Sequence, residues 1–455
     1  MRIMVFSNSP AYPATGSGYA NIVKNLSFEL SKLGYDIAIT GMQTSYEMGN
    51  IGKIPIYPLL PDFHAVDSLN MQVRQLSLNM KHHGSDLLLC IFQGDSKWYN
   101  PFTQIVPDKT VWMMPLEGEI IYKNHQVWND ARKVKKVVAM TNSAGEQFRK
   151  QGISCDVIYL GYNPKVFRKD YNKKLQEQII IYFPANNEEL VLPACKLPEW
   201  KEKMGIECMF GFNAQNFGVK KRIERLIEAY SIFAKDKKDV HLHLHTLPIG
   251  VKGLNLLEII NHYDIKDKIT FSYGNFGSSG WSEHALNILY NQFDVYVSAS
   301  SGEGFGLPIL ESAAVGVPQI HPDFAPFNEF LGYDGELPQP KGIQPVNPEN
   351  NVDTDIDFAM KGGTIHSSAK SERVFSTPLP HVHNKRGLLA KCIKQFTSAG
   401  EERALVDIHS LAEKMEIMYA QDDFREMLGR NAQKWASQYT WSRCAAQFDK
   451  VFRSR

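Results

Sequence analysis

The stretch Ser301-Gly302-Glu303-Gly304-Phe305-Gly306-Leu307-Pro308-Ile309-Leu310-Glu311 joins a strand to a helix and places two glutamates around a glycine-rich bend. Residues 294–298 before it have the β-branched and aromatic content of a buried strand, and the apolar residues after it recur at helical spacing. Pro308 suits the first helical turn, where its missing amide hydrogen costs nothing. We therefore expect the amides of residues 304–307 to point out of the helix start, an arrangement that attracts phosphate.

The two glutamates of this stretch predict hydroxyl partners. Glu303 lies just before the anion site, and Glu311 lies about one helical turn inside the helix. Because the charge of a phosphate would repel either carboxylate, neither is expected to hold the phosphates. A carboxylate accepts two hydroxyl hydrogen bonds in a fork, which suits the diol of a ribose or the neighbouring hydroxyls of a hexose. The stretch thus predicts a phosphorylated sugar donor, and glutamates that only complement the helix dipole are the alternative.

The same stretch resembles the signature of a known enzyme family. Seven residues separate Glu303 from Glu311, and this spacing, with the sequence Glu-Gly-Phe-Gly-Leu-Pro, is similar to that of the retaining glycosyltransferases of family GT4, the glycosyl transferases group 1. The resemblance implies an α/β chain with the GT-B fold, in which two Rossmann-like doubly wound domains face each other across a cleft. It also implies that Glu303 sits near the transferred sugar and that Glu311 holds the ribose. The diphosphate would be bound by the backbone of the bend, which consists of Gly304, Phe305, Gly306 and Leu307.

A cluster of cations follows a second predicted strand at residues 206–212. Lys220, Lys221 and Arg222 lead into apolar residues at helical spacing. Lysines in a first helical turn oppose the helix dipole, so an anionic ligand would explain them, and a solvated basic helix start is the alternative. The resemblance implies that Lys221 neutralises the leaving diphosphate together with an arginine five residues earlier, where this chain has Asn216. Either a shift of the loop by one residue brings Lys220 or Arg222 to the phosphates, or the site has one cation fewer.

The amino terminus predicts a βαβ unit. Residues 2–7 and 36–40 read as strands, and Gly34 ends the helix between them. The glycines of this unit follow the first strand at a distance, and no acidic residue marks a ribose site after the second strand, so a dinucleotide fold is not indicated. The resemblance implies that Gly16 and Gly18 face the sugar and phosphate of the donor across the cleft.

Several further residues are candidates for the sugar and acceptor sides of the site. Glu117 follows the predicted strand at residues 110–114, where the resemblance implies a side chain beside the anomeric carbon, and a surface glutamate is the equal alternative. On the acceptor side we expect Asp95 and the aromatic residues Tyr12 and Trp98, which are suited to stacking on sugar rings although packing explains such residues as often.

The sequence predicts no metal or other cofactor. His241, His243 and His245 alternate along a strand, so their side chains stand about 7 Å apart, too far for one zinc ion without a ligand from elsewhere. We expect packed or hydrogen-bonded histidines there. No Asp-x-Asp motif stands where a metal bound to a sugar diphosphate would sit, and the resemblance implies catalysis without an essential divalent ion. The expected partners are a nucleotide-sugar donor and a sugar or glycoconjugate acceptor, and the oligomeric state stays open.

Composition excludes some classes of protein. The formal net charge of +1 argues against a nucleic-acid binder that works by counterion release. The six cysteines show no Cys-x-x-Cys pair, which predicts reduced thiols in the cytoplasm. No apolar run approaches the length of a bilayer span and no signal peptide is apparent, so we expect a protein that is soluble or peripherally associated with a membrane.

The length of 455 residues and the hydrophobic content of 43% predict two domains. We expect an amino-terminal acceptor domain at residues 1–165, a linker with an irregular insertion at 166–205, and a carboxyl-terminal donor domain at 206–435. Helical sequence is predicted from about residue 386 to 452, and the resemblance implies that the last helix, at about 436–455, returns to the first domain. Besides a glycosyltransferase, a sugar-nucleotide binding or regulatory protein without transfer and a sugar-nucleotide epimerase of the same fold remain alternatives. The nucleotide, the sugar and the acceptor stay open.

Overall fold

The computed structural model describes residues 1–7, 18–41, 49–59, 66–92, 100–250, 253–274, 280–332, 384–397 and 400–454. The side chains of residues 66–69, 100 and 219 lie outside this description. Four of the candidate residues also lie outside the described residues, namely Tyr12, Gly16, Asp95 and Trp98.

The strands are numbered in chain order. They are β1 Arg2–Ser7, β2 Asp36–Gly41, β3 Gly49–Ile51, β4 Ile54–Tyr57, β5 Leu87–Ile91, β6 Thr110–Met114, β7 Glu119–Ile120, β8 Lys136–Ala139, β9 Cys155–Val157, β10 Gln178–Phe183, β11 Glu188–Pro193, β12 Cys208–Asn213, β13 Val240–His245, β14 Ile269–Tyr273, β15 Val295–Val297, β16 Gln319–Pro322, β17 Gly387–Ala390, β18 Cys392–Phe396 and β19 Glu401–Val406.

The α-helices follow the same scheme. They are α1 Gly18–Lys32, α2 Val66–His83, α3 Asn100–Thr103, α4 Gln126–Ala131, α5 Asn142–Lys150, α6 Leu197–Lys203, α7 Gly218–Lys221, α8 Ile223–Phe233, α9 Leu256–His262, α10 Glu283–Tyr290, α11 Leu307–Ala314, α12 Phe327–Phe330, α13 Ile408–Ala420, α14 Asp422–Ala436 and α15 Trp441–Arg453. Short 3-10 helices lie at Pro107–Lys109, Ala194–Lys196 and Lys266–Lys268.

The first sheet has the strand order β3-β4-β2-β1-β5-β6-β8-β9, and its central strands run parallel. Its central strands are continuous apolar runs with buried side chains, as expected of a parallel sheet covered by helices on both faces. The last helix, α15, packs on this unit, where the hydroxyl of Tyr35 donates to Asp449 at 2.6 Å and the Tyr35 ring contacts Phe452. The last helix thus lies against α1 and the amino-terminal half of the molecule.

The second sheet has the order β11-β10-β14-β13-β12-β15-β16-β17 and is parallel from β14 to β17. Its edge is the antiparallel hairpin of β10 and β11, which lies within residues 166–205. We expected irregular structure there. The hairpin forms because β10 alternates buried and partly exposed apolar residues and extends the sheet beside β14. The domain boundaries themselves stay predictions.

A small third sheet joins the two halves of the molecule. Its order is β18-β19-β7, with β18 and β19 as an antiparallel hairpin and β19 paired to β7, which follows the end of β6. The helix predicted from residue 386 is therefore wrong up to residue 406, and helical structure begins at Ile408. β19 forms because it pairs with β18 on one side and with β7 on the other, although its residues suit a helix as well.

These elements confirm an α/β architecture of two doubly wound, mostly parallel sheets. The strand before the glycine-rich bend, β15, is central in the second sheet, and α11 follows it. Because ligands bind beyond the carboxyl ends of parallel strands, this end of β15 is where a ligand of the second sheet is expected.

Candidate active site

The glycine-rich bend occupies the turn between β15 and α11. Gly306 precedes the helix with a φ of 88°, in the left-handed region that favours glycine. The helix begins at Leu307, followed by Pro308 as the sequence predicts. Within the described part of the chain, no hydrogen bond uses the amides of residues 304–307 as donors. Together with the positive end of the helix dipole, these amides form a site for an anion.

Two glycines let the bend touch the amino-terminal half of the molecule. A Cβ atom on Gly302 would lie 1.7 Å from the carbonyl oxygen of Glu117. A Cβ atom on Gly304 would lie 2.3 Å from the Cβ of Pro115. Real Cβ atoms do not approach other atoms this closely, so glycine is required at both positions. The bend is therefore in direct contact with the segment that follows β6.

The two lysines form ion pairs with two glutamates of the candidate set. Lys221 donates to Glu303 at 2.5 Å, and Lys220 donates to Glu117 across the two halves of the molecule. Both lysines belong to the short helix α7, and Arg222 then adopts the left-handed conformation with a φ of 49°. The expectation that they open the longer helix is therefore wrong, because the chain turns at Arg222 and α8 begins at Ile223.

Glu117 is 8% exposed and lies among three cations. Burial acts to raise its pKa, but the charges of Lys220, Arg403 and Lys221 outweigh burial and hold the pKa below its usual value. Arg403, on β19, places its Nη2 atom 3.3 Å from the carboxylate of Glu117. Glu117 is thus an ionised, paired carboxylate.

The side chain of Asn216 forms hydrogen bonds with the backbone of a neighbouring loop. Its side-chain amide donates to the carbonyl oxygens of Leu247 and Leu254, and its Oδ1 accepts from the amide of Leu254. The close packing of Gly253 against the same side chain shows how tightly this loop is held. The position where the resemblance implies an arginine therefore holds a neutral side chain, and its amide is hydrogen-bonded to the backbone.

Glu311 is almost fully buried in α11. The hydroxyl of Tyr290 donates to its Oε2 at 2.9 Å, and Asn213 donates to the same hydroxyl at 2.7 Å. Burial raises the pKa of Glu311 to about 8, against the lowering effect of the Tyr290 hydrogen bond and with a further raising effect from Glu283. In this state Glu311 is mostly protonated at neutral pH. We expected a carboxylate flanking an open crevice, and the difference arises from the packing around Tyr290.

Phe305 and Gly18 are the remaining donor-side candidates among the described residues. The ring of Phe305 is buried and packs edge-on against Tyr159 and Phe330, so its side chain anchors the bend while its amide stays in the turn. Gly18 is the first residue of α1, and a Cβ atom there would meet no described atom within 4 Å. Further along α1, Lys24 lies 3.8 Å from Glu283 of α10, so this helix faces the second sheet.

The histidines on β13 form a buried hydrogen-bonded network. His241 and His243 share the hydroxyl of Thr270, each at 2.9 Å, and His243 and His245 share that of Ser272. Burial lowers the pKa of all three imidazoles. Among the described residues, no group of three or more potential ligands has an arrangement that could hold a metal ion.

Sequence reasoning missed two residues of this site, Arg403 and Tyr290. Arg403 lies in the segment for which a helix was predicted, and residues 401–406, three polar residues followed by three apolar ones, carry no local signal for a strand. Tyr290 stands at helical spacing within an apolar run, so nothing in the sequence separates it from core aromatics.

Comparison with known proteins identifies a family match over the same part of the chain. The family model described as glycosyl transferases group 1 matches residues 210–334, which include the bend and both lysines. An uncharacterized glycosyltransferase of Sulfolobus islandicus rod-shaped virus 1 is 25% identical over 162 residues, covering 34% of this chain and 45% of the relative. The GtfA subunit of a UDP-N-acetylglucosamine–peptide N-acetylglucosaminyltransferase of Streptococcus pneumoniae is 26% identical over 166 residues, covering 36% of this chain and 31% of the relative. The chain thus spans less than half the length of these curated relatives.

Solved structures are similar over the whole chain. A sucrose-phosphate synthase from Thermosynechococcus elongatus superimposes with a TM-score of 0.67 at 14% identity, covering 99% of this chain and 98% of that one. HepE of Anabaena in complex with UDP-glucose superimposes with a TM-score of 0.62 at 13% identity, and both chains are covered to 100%. At these identities the likeness concerns the fold alone. The chain has the two-domain GT-B fold.

None of the described helices combines the length and the apolar character that a membrane crossing requires.

Proposed function

We propose that this chain is a retaining glycosyltransferase of the GT4 type that moves a sugar from a nucleoside-diphosphate sugar to a hydroxyl group of an acceptor. The observation that carries the proposal is the bend of residues 304–307, whose amides have no acceptor among the described residues and lie beside the ion pair of Lys221 and Glu303. The family model covers this same region, and both curated relatives are described as glycosyltransferases.

The donor diphosphate would lie against the amides of the bend. HepE of Anabaena has been solved with UDP-glucose, which makes uridine nucleotides the first donors to test here. When the diphosphate binds, the ammonium of Lys221 would exchange part of its contact with Glu303 for phosphate oxygens, because the two anions compete for one cation. Glu303 would then be released toward the hydroxyls of the sugar.

The proposed chemistry needs little from protein acids and bases. The bond from the anomeric carbon to the phosphate oxygen breaks, and the acceptor hydroxyl oxygen bonds to the same face of that carbon. The acceptor proton passes to an oxygen of the departing diphosphate. Lys221 and the amides of residues 304–307 stabilise the charge that develops on the leaving group. Glu303 orients the sugar, and Glu117 contributes by holding Lys220 at the same corner.

We assign the ribose to Glu311. Two hydroxyl groups of a ribose can donate to its carboxylate. These hydrogen bonds would stabilise the ionised form and so oppose the effect of burial, which favours the protonated form in the absence of a ligand. Tyr290 keeps the carboxyl oriented through its own hydroxyl. Gly18 and the segment before α1 would lie on the opposite side of the donor.

We further propose that transfer proceeds without an essential metal ion and takes place in the cytoplasm. Lysines and backbone amides supply the positive potential that a divalent ion gives to other sugar-diphosphate sites. The location is supported by the six cysteines, which are all free thiols in the structure. Transfer that is unchanged by EDTA would support the first point, and transfer restored only by added Mg²⁺ or Mn²⁺ would refute it.

The test of function is a screen of nucleotide sugars for hydrolysis and transfer, followed by the variant Lys221→Met. We expect this variant to lose about 100-fold or more in kcat, which is the scale seen when one group that stabilises the leaving charge is removed. The matched control is Lys196→Met, because Lys196 also forms a 2.5 Å ion pair with a glutamate but lies exposed at the start of α6. Equal activity of both variants would refute the assignment. Nucleotide-sugar binding without any turnover would favour a binding or regulatory protein, and conversion of the donor without an acceptor would favour an epimerase.

A further inference from the structure

Three segments of the chain converge on Ser301, the residue before the glycine-rich bend. The amide and the hydroxyl of Ser301 both donate to the carbonyl oxygen of Lys220 at 3.0 Å. The amide of Ala404 donates to the carbonyl oxygen of Ser301 at 2.7 Å. Arg403, the neighbour of Ala404, is thereby placed at the same corner as Lys220 and Glu117, although the three residues come from distant parts of the sequence.

The guanidinium of Arg403 forms an ion pair with a buried carboxylate. Its Nε and Nη2 atoms lie 2.8 and 2.7 Å from the Oε2 of Glu401, which is 0% exposed. On its other side, Nη2 is 3.3 Å from Glu117. A buried acid that fixes an arginine in one orientation makes the guanidinium a preorganised donor, and its planar fork matches the oxygens of a phosphate.

The hairpin that carries Arg403 is fitted tightly to the first half of the molecule. A Cβ atom on Gly118 would lie 2.6 Å from the carbonyl oxygen of Glu402 and 3.1 Å from the Cγ of Arg403. Pairing of β19 with β7 continues this contact. The position of the arginine is therefore set by a sheet that includes both halves of the molecule.

The charges at this corner are balanced before any donor binds. Three cations, Lys220, Lys221 and Arg403, face three carboxylates, Glu117, Glu303 and Glu401. Asn216 adds no charge, because its side chain is a neutral amide, and this amide is bound to the backbone at Leu247 and Leu254. Lys220 stays paired with Glu117, so Lys221 alone would leave the two charges of a bound diphosphate undercompensated.

We propose that Arg403 is the second diphosphate-binding cation of this enzyme and takes the role that the neutral Asn216 cannot fill. The inference rests on the proposed function. When the donor binds, Arg403 keeps its contact with Glu401 and exchanges Glu117 for oxygens of the phosphate next to the sugar. We choose this phosphate because Ser301, which is bonded to the neighbour of Arg403, lies two residues before Glu303, the residue assigned to the sugar.

The experiment is calorimetric binding of UDP, GDP and ADP, and of the matching monophosphates, to the wild type and to Arg403→Met and Arg403→Lys. We expect Arg403→Met to weaken binding of the cognate diphosphate about 10- to 100-fold, the loss typical of one charge-assisted hydrogen bond. Binding of the monophosphate should change by less than about twofold, because it lacks the phosphate next to the sugar. Arg403→Lys should recover part of the lost affinity for the diphosphate, since it restores the charge without the fork.

The matched control is Lys394→Met in the same hairpin. Lys394 ties β18 to β19 and β7 through Glu402 and Glu119, both at 2.8 Å, but it is 53% exposed and does not contact the carboxylates at the corner. An equal loss for monophosphate and diphosphate, or an equal loss in Lys394→Met, would assign Arg403 a purely structural role and overturn the proposal. Unchanged diphosphate binding in Arg403→Met would overturn it as well. A wild type that binds none of these nucleotides and transfers no sugar would instead refute the proposed function, and this inference with it.

Discussion

Replacing Glu311 by glutamine should stabilise the ligand-free protein, by an amount that grows with pH. Burial raises the pKa of Glu311 to about 8 in the native state, whereas an ordinary glutamate titrates at 4.5. At neutral pH the native protein therefore holds a proton that the unfolded chain releases. This release favours unfolding, and glutamine avoids it because glutamine has no proton to lose.

The sign and the size follow from linkage. A carboxyl group with a raised native pKa contributes its full stability below the unfolded pKa, and this contribution is lost as the pH rises through the native pKa. Each pH unit between the two pKa values removes about 1.4 kcal/mol, which gives about 3 kcal/mol at pH 7. Glutamine has the same shape and can still accept the hydrogen bond of Tyr290. The gain of Glu311→Gln should thus be near zero at about pH 4.5 and about 3 kcal/mol at neutral pH.

The assay is urea or thermal unfolding of the wild type and Glu311→Gln from about pH 5 to about pH 8, with the difference followed at each pH. The matched control is Glu146→Gln, because Glu146 lies on the exposed face of α5 in an ion pair with Lys150. Its effect should be small at every pH, as for surface ion pairs in general. A Glu311→Gln difference that does not vary with pH, or a variant less stable than the wild type at about pH 8, would show that Glu311 is ionised in the native state.

Two further perturbations test the core and the contact between the two halves. Burial lowers the pKa of His241 to about 3 and of His245 to about 4, so stability should be complete above the unfolded value near 6.5 and should fall as the pH drops below it. Unfolding curves of the wild type and of His245→Asn, recorded with decreasing pH, measure this: the wild type should lose more stability than the variant, and an equal loss in both would contradict the prediction. Gly304→Ala should reduce transfer about 10-fold or more, because its Cβ atom would lie 2.3 Å from the Cβ of Pro115. Adding Pro115→Gly should restore activity, and failure of this rescue in a folded double variant would disprove the steric explanation.

The strand and helix around the bend could be predicted because they depend on neighbouring residues. The predicted strand at 294–298 is β15 at Val295–Val297, and α11 begins at Leu307 as the position of Pro308 indicates. The glycines at 302 and 304 also belong to a motif that is recognisable in the sequence, but glycine is needed there because of a contact with a distant part of the chain. Only the structure shows that each glycine makes room for the segment at 115–117.

The hairpin of β18 and β19 could not be predicted with the same success. Its residues suit a helix as well as a strand, and the strand prevails because β19 pairs with β7, far away in the sequence. The same limit applies to the ion pairs. Lys220 and Glu117 are 103 residues apart, and Lys221 and Glu303 are 82 apart, so the sequence identified these side chains without their partners.

The amino-acid sequence by itself determined the class of fold, the place of the anion site and the types of side chain around it. These properties follow from periodicity and from the few residues that a tight turn accepts. Tertiary structure alone decided the protonation of Glu311, the engagement of Asn216 with the backbone, and the arrival of Arg403 beside the lysines. Burial and long-range pairing control these features, because a charge responds to every group that the folded chain brings within a few ångströms of it.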